Sequence, residues 1–277
     1  YPTIGGKAPA DVSLADVKAI ILPIWASKTE TATRLRQRIE AVLDYAAVHD
    51  DDQSRSNPAR WKGVLDKVLP KPSAVTAKVH HAALPYADVP AIMSALREKD
   101  CLSAYCLRFT ILTAARSGEA RGALWSEINM ESRTWTIPAK RMKAKKEHKV
   151  PFCDEAKEIL DKMEQWRREG SDRVFPGARG GLLSDVAVNK TLHAIAPDVT
   201  VHGFRSSFRD WGAETTAFPS AVMEIALAHV NKDKVEAAYQ RSDLFERRVE
   251  LMTAWGRYCA NTGNVVQLAL TQSKAAA

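Results

Sequence analysis

Apolar side chains recur along most of this chain with the period of a helix, and change to the period of a strand in one region. From about residue 31 to residue 49, Leu35, Ile39, Val42, Leu43 and Ala46 fall at i, i+4, i+7, i+8 and i+11, one face of an amphipathic helix. Arg34, Arg36 and Arg38 lie off that stripe. Before it, Ser13-x-x-Asp16 has the form of a capping box with Asp in the usual Glu position. It predicts a short helix carrying Val17, Ile20 and Ile21, with Pro23 near its end. After it, Asp50-Asp51-Asp52 reads as a solvated turn, since it lacks the glycine and closing glutamate of a calcium loop. Asn57-Pro58 then supplies an N-cap and an N1 proline for a third helix bearing Trp61, Val64, Leu65 and Val68.

Periodicity lapses over residues 69–78, a stretch rich in Pro and Lys that reads as an extended basic linker. The adjacent His80-His81 has no further ligands nearby and reads as linker surface rather than a metal site. Beyond it, helices are predicted at residues 89–99 and 102–115, the latter apolar nearly all round and therefore buried. Arg116-Ser117-Gly118-Glu119 interrupts, and a further helical segment carries Leu124 and Trp125. Then the period becomes two. Thr134-Trp135-Thr136-Ile137 and Lys149-Val150-Pro151-Phe152 read as strands flanking the basic run from Lys140 to Lys146. Helices resume at residues 155–168, 184–195, from 203, 220–228, 235–241 and 245–258. The chain is thus expected to be mainly α with a small antiparallel β-sheet. Its segments are a helical domain over residues 1–69, a linker over 70–82, and a larger domain over 83–277 with a C-terminal tail.

Composition narrows the partners. Net charge is +7 over 277 residues, which favours a polyanion over an acidic partner. Between Lys140 and Val150 six Lys/Arg stand against one Glu, a local +5. The four cysteines show no CxxC pair and no zinc-ligand spacing, and read as reduced core residues. No apolar run approaches the roughly 20 residues needed to span a bilayer, and no signal peptide is visible. The expectation is a cytoplasmic protein associated with the nucleoid rather than with a membrane. The chain starts at Tyr1 without a methionine, so upstream sequence is expected.

Chemistry concentrates between Val201 and Tyr239. His202-Gly203-Phe204-Arg205, then His229, then Tyr239 are groups suited to surround a phosphodiester. Arginine offers a fixed fork of donors that matches phosphate oxygens, histidine exchanges protons near neutral pH, and tyrosine is a covalent nucleophile when its phenol is activated. Reading backward adds Lys143 in the basic run and Arg116 after the buried helix, with Glu119 one turn on to hold it. Each residue also has a plainer reading. Arg116 and His229 serve as C-terminal caps, Tyr239 as a core residue in register with Val235 and Ala238, and Lys143 as one phosphate contact among several.

The ordered set Arg116, Lys143, His202-x-x-Arg205, His229, Tyr239 resembles that of the tyrosine recombinases, in particular phage and genomic-island integrases. The stretches "TAARSGEARGALWSEI", "WTIPAKRMKAKKEHKVP", "HGFRSSFRDW" and "ALAHVNKDKVEAAYQRS" are similar to integrase text. The likeness covers nearly the whole chain, weakest before residue 30 and after 260. It implies a core-binding domain, lacking its first helix, joined to a catalytic domain as a clamp on duplex DNA, with an arm-binding domain upstream. It also implies a reaction. Tyr239 attacks a DNA phosphodiester, forming a 3′-phosphotyrosine and freeing a 5′-hydroxyl, and a second strand reverses the step without ATP. Arg116 and Arg205 hold the non-bridging oxygens, His229 hydrogen-bonds one of them, His202 acts as base and Lys143 protonates the leaving oxygen. Arg34, Arg36, Arg38, Lys71, Lys78, Lys140, Arg141, Lys145 and Lys146 are expected to contact DNA. No cofactor or metal is expected. The implied partners are double-stranded DNA attachment sites, a homo-tetramer on paired sites, and accessory DNA-bending proteins. A type IB topoisomerase shares this chemistry, and a non-catalytic DNA-binding protein needs only the basic surfaces. The tail after Asn261 is expected either to fold back on its own domain or to dock on a neighbouring protomer.

Overall fold

The computed structural model describes residues 2–52, 54–75, 84–229 and 243–260. The chain divides into two compact units, residues 1–80 and 81–277.

In the first unit, helix α1 (Leu14–Trp25) begins at the expected capping box: Ser13 Oγ accepts the Asp16 amide at 3.2 Å and Asp16 Oδ2 accepts the Ser13 amide at 2.9 Å. Helix α2 (Thr29–His49) packs on it, with a face rotated from the expected stripe. Ala32, Ile39 and Leu43 are buried, whereas Val42 is 61% exposed. Arg36 takes the inward position instead, only 6% exposed. Its charge is satisfied there, because Glu40 sits one turn on and the Ala59 carbonyl accepts at 2.8 Å. The third helix expected from Asn57 does not form. Asn57 Oδ1 still accepts the Ala59 amide at 2.9 Å, while Nδ2 donates to the Glu40 carbonyl at 2.8 Å and to Asp44 at 2.7 Å. Gly63 has a φ of +84°, outside the helical region. What remains is a 3₁₀ turn at Leu65–Lys67, with Leu65 buried and Trp61 stacked on Trp25 at 5.7 Å. The expected extended linker also differs, since Pro72–Val75 is one helical turn (α3). His80 and His81 lie outside the described residues.

The second unit is built on α4 (Val89–Arg97) and the buried α5 (Leu102–Leu112). After the short α6 (Ser117–Arg121), the expected helical segment at Leu124 and Trp125 is a 3₁₀ turn, and Leu124 bridges to Arg173. The sheet is antiparallel in the order β1 (Ile128–Asn129), β2 (Thr134–Ile137), β3 (His148–Pro151), with Trp135 opposite both Ile128 and Val150. Helices α7 (Asp154–Gln165), α8 (Asp185–His193), α9 (Gly203–Thr215), α10 (Ser220–Ala226) and α11 (Phe245–Ala260) complete the described part. Mainly helical with one small antiparallel sheet, the fold is of the expected class.

Helix α11 runs through the core. Trp255 is fully buried and donates to the Ile111 carbonyl at 2.9 Å, which ties α11 to α5. Gly256 faces Cys153 so closely that a Cβ there would lie 2.6 Å from the sulfur. Arg248, 1% exposed, donates to the Lys149 carbonyl of β3 and to Asp243 Oδ2 at 3.0 Å. The cysteines are free thiols, three of them buried, and burial pushes Cys106 up to about 12 and Cys153 up to about 11. The expected helix at 235–241 and the tail after 260 lie outside the described residues. No helix among the described residues is long and apolar enough to cross a membrane.

Candidate active site

Two helices end in alanines with left-handed backbone, and their last carbonyls define the site. Ala114, just past α5, has a φ of +49°, and Ala228, just past α10, has a φ of +48°. At the second end the Ala228 amide donates to the Ile225 carbonyl and the His229 amide to the Glu224 carbonyl, both at 2.9 Å. That pair of bonds is a Schellman motif, which closes the helix with alanine where glycine is usual. His229 therefore caps α10 with its amide, and its ring is left for other work.

Arg205 joins the two ends. It lies on α9, is 6% exposed, and donates to the Ala114 carbonyl from Nη1 and to the Leu227 carbonyl from Nη2 at 2.6 Å. One cation thus serves two helix C-termini, where the dipoles favour positive charge. Burial, then the neighbouring Arg116 guanidinium, pushes Arg205 down to about 10, with Glu119 and Glu224 partly offsetting. At neutral pH it remains fully charged.

Arg116 sits in extended backbone at the start of α6, and Glu119 holds it twice. The carboxylate accepts the Arg116 amide at 2.9 Å and Nη1 at 2.8 Å. Nη2 reaches the Ala228 carbonyl at 3.5 Å, one residue from the carbonyl that Arg205 uses. His229 completes the group, with Nε2 lying 3.4 Å from Arg205 Nη2. The fold thus brings Arg116, Glu119, Arg205 and His229 together from α6, α9 and the end of α10. His202 stands exposed at the N-cap of α9, its carbonyl accepting the Arg205 amide at 3.1 Å.

Lys143 occupies the exposed loop between β2 and β3, and no hydrogen bond joins it to the four among the described residues. The loop's two ends are nevertheless pinned at the site. On one side Arg141 donates to the Glu119 carbonyl and pairs with Glu127. On the other, His148 meets the Ala226 carbonyl at 3.3 Å. Burial, then the charge of Arg248, pushes His148 down to about 4, so it stays neutral and holds its contact without adding charge. Tyr239 lies outside the described residues. Tyr258, the next tyrosine, donates to the Tyr86 carbonyl at 3.2 Å and stacks on Trp255, and burial raises its phenol above the ordinary range. It belongs to the core.

Two of the expected DNA contacts need correction. Arg36 is buried against Glu40 and Ala59, and Arg141 is committed to Glu127 and Glu119, so neither offers a free charge at the surface. Arg34 is exposed but paired with Glu30 at 2.8 Å. Arg38, Lys71, Lys140, Lys145 and Lys146 are exposed, and Lys78 lies outside the described residues. Glu224, Arg209, His148 and Arg248 are participants that sequence reading missed. Arg209 carried a faint signal, standing one helical turn beyond Arg205. Among the described residues, no group of three or more His, Cys, Asp or Glu is placed to hold a metal ion.

Known proteins share this organisation. The phage integrase family model matches residues 83–244, and the phage integrase central domain matches residues 1–64. The prophage integrase IntA of Escherichia coli K12 is 31% identical over 284 residues, covering 96% of this chain and 64% of that protein. The integrase of enterobacteria phage P4 is 29% identical over 297 residues, covering 99% and 65%. The chain therefore spans less than two thirds of the length of these curated relatives. In fold it is similar to a lambda integrase dimer bound to a core site, with TM-score 0.57 at 19% identity over 85% of this chain and 82% of that one. It is also similar to the Tn1549 transposon integrase in complex with circular intermediate DNA, with TM-score 0.56 at 17% identity over 90% and 87%. With more than half its length matched by one family model, and that match running through the arginine pair and His229, the chain belongs to the phage integrase family.

Proposed function

We propose that this chain is the core-binding and catalytic part of a site-specific DNA recombinase, which cuts and rejoins duplex DNA through a 3′-phosphotyrosine at Tyr239. The observation that carries the reading is the arginine pair. Arg116 and Arg205 hold adjacent backbone carbonyls, within range of each other's charge, with His229 at 3.4 Å from Arg205. Two like charges held together by Glu119 and by helix ends repel each other, and a phosphodiester anion, or still more the pentacoordinate phosphoryl group formed from it, relieves that repulsion. A positioned donor of this kind contributes about 3–4 kcal/mol to the transition state.

In this reading the nucleophile is Tyr239, with His202 taking its proton and Lys143 protonating the departing 5′ oxygen from the loop pinned by Arg141 and His148. The P–O bond to the 5′ oxygen is exchanged for one to the Tyr239 oxygen of like energy, so strand exchange consumes no ATP, and Arg116, Arg205 and Lys143 supply the positive charge that a metal pair supplies in other nucleases. Residues 1–69 form the core-type DNA-binding domain, 70–82 the linker and 83–277 the catalytic domain. The partners are duplex attachment sites, a homo-tetramer on paired sites as in the lambda integrase tetramer on a Holliday junction, and accessory DNA-bending proteins. The place of work is the cytoplasm, at the nucleoid. The test is strand exchange between two labelled attachment-site duplexes in the presence of EDTA. Recombinant products support the reading. Relaxation of a supercoiled plasmid carrying the site, without joined duplex products, indicates a topoisomerase, and cleavage that needs magnesium indicates a different nuclease.

A further inference from the structure

Two charged side chains outside the ordered catalytic set close on His229. Glu224, on α10, touches it twice: the Glu224 carbonyl accepts the His229 amide at 2.9 Å, and carboxylate Oε2 lies 2.6 Å from Nδ1. The second carboxylate oxygen accepts from Arg209 Nε at 2.7 Å. Arg209 stands one turn beyond Arg205 on α9, so a single helix meets both sides of the imidazole. Arg205 faces Nε2, and Arg209 braces the carboxylate behind Nδ1. This depends on α9 and α10 approaching closely at Gly212, where a Cβ would lie 2.3 Å from the Met223 sulfur.

Burial works to raise the Glu224 carboxyl, but the hydrogen bonds from Arg209 and His229 outweigh it and hold the group below the usual range. Glu224 is therefore an anion at neutral pH, able only to accept. With such an acceptor beside it, Nδ1 must carry a proton, and a flipped ring would set a C–H against the carboxylate. Nε2 is then the nitrogen turned toward Arg205. The charged groups around the ring are Glu224, Arg209 behind it, Arg205, and Arg116 at the neighbouring Ala228 carbonyl.

We propose that Glu224, braced by Arg209, is the positioning residue of His229, fixing its Nδ1–H and so aiming Nε2 at the phosphate held between Arg116 and Arg205. The proposal rests on the phosphoryl-transfer reading above. Nε2 accepts from Arg205 Nη2 across 3.4 Å. This is the division of labour by which an outer carboxylate sets the tautomer and direction of a histidine that touches the reacting group.

The test compares Glu224→Ala, Glu224→Gln, His229→Ala and the double variant Glu224→Ala/His229→Ala in single-turnover cleavage of a nicked suicide duplex. Glu224→Ala is expected to slow adduct formation about 10–100-fold without weakening DNA binding. Glu224→Gln, which keeps an acceptor oxygen, is expected to recover most of that loss. In the His229→Ala background, removing Glu224 is expected to cost nothing further. Histidine-selective ¹⁵N spectra of the free protein give a readout independent of activity. His229, assigned by its loss in His229→Ala, is expected to be Nδ1-protonated in the wild type and to change tautomer in Glu224→Ala. Additive losses in the double variant, or an unchanged His229 spectrum in Glu224→Ala, overturn the proposal. A wild type that forms no adduct while the spectra change as expected overturns the phosphoryl-transfer reading and leaves the Glu224–His229 pairing supported.

Discussion

Replacing Arg205 with alanine should damage the fold as well as the chemistry. Its guanidinium caps the carbonyls at the ends of α5 and α10, Ala114 and Leu227, from a position 6% exposed. A hydrogen bond from a charged donor contributes about 1.5–3 kcal/mol, so losing both would cost about 3–6 kcal/mol if nothing compensated. Two effects reduce that sum. Removal relieves the burial and the repulsion from Arg116 that depress Arg205 to about 10, and water entering the vacated space solvates part of the exposed carbonyl surface. The expected net loss is about 2–4 kcal/mol. Arg205→Lys keeps the charge, but a single ammonium nitrogen cannot span two carbonyls, so it should recover at most half. Urea unfolding followed by tryptophan fluorescence measures this, because Trp211 and Trp255 lie within the same unit and both are buried. A loss below about 0.5 kcal/mol in the alanine variant, or full recovery by lysine, would refute the capping argument.

Three other substitutions have defined outcomes. Lys143→Ala should slow cleavage of ordinary DNA by about 10²–10⁴-fold and cleave nearly normally when sulfur replaces the leaving oxygen; absence of that rescue would make Lys143 a binding residue and move the role to Lys145 or Lys146. Gly256→Ala should destabilise the chain by about 1–3 kcal/mol, because the new methyl meets the short Cys153 side chain, which cannot swing aside; an unchanged melting temperature would contradict the packing. His148 is held down to about 4 in the fold, so the unfolded chain binds more protons below its ordinary value near 6.5. Stability should therefore fall as pH drops from about 6.5 toward 4, and His148→Gln should flatten that part of the profile, a comparison made by urea unfolding at each pH.

Where local pattern governs, the sequence was a good guide. The capping box at Ser13, the buried α5, the hairpin around the basic run and the start of α9 are set by residues within a turn or two of one another. Distant partners decided the rest. Helix α2 turned Arg36 inward and Val42 outward because Glu40 and the Ala59 carbonyl satisfy a buried guanidinium, which apolar periodicity cannot register. Asn57 makes the side-chain bond expected of an N-cap, to the Ala59 amide, yet no helix follows it, and Gly63 takes a left-handed turn instead. Strand β1 is two residues long and exists only as a partner of β2. At the site, Arg116, Arg205 and His229 were legible from order and spacing, and Glu119 from its place one turn beyond Arg116. The supporting roles of Glu224 and Arg141 were not, since one depends on how α9 meets the turn after α10 and the other on how the β2–β3 loop folds back on α6.

In the proposed reaction Tyr239 becomes covalently joined to DNA at a phosphate held by the arginine pair. Incubating the chain with a nicked suicide duplex, digesting the trapped complex and sequencing the nucleotide-bearing peptide by mass spectrometry tests it directly. The expected product is a 3′-phosphate ester on the peptide containing Tyr239, formed in excess EDTA, with no adduct from Tyr239→Phe although that variant still binds the duplex. An adduct on Tyr258 or any other residue, or one that persists in Tyr239→Phe, would contradict it.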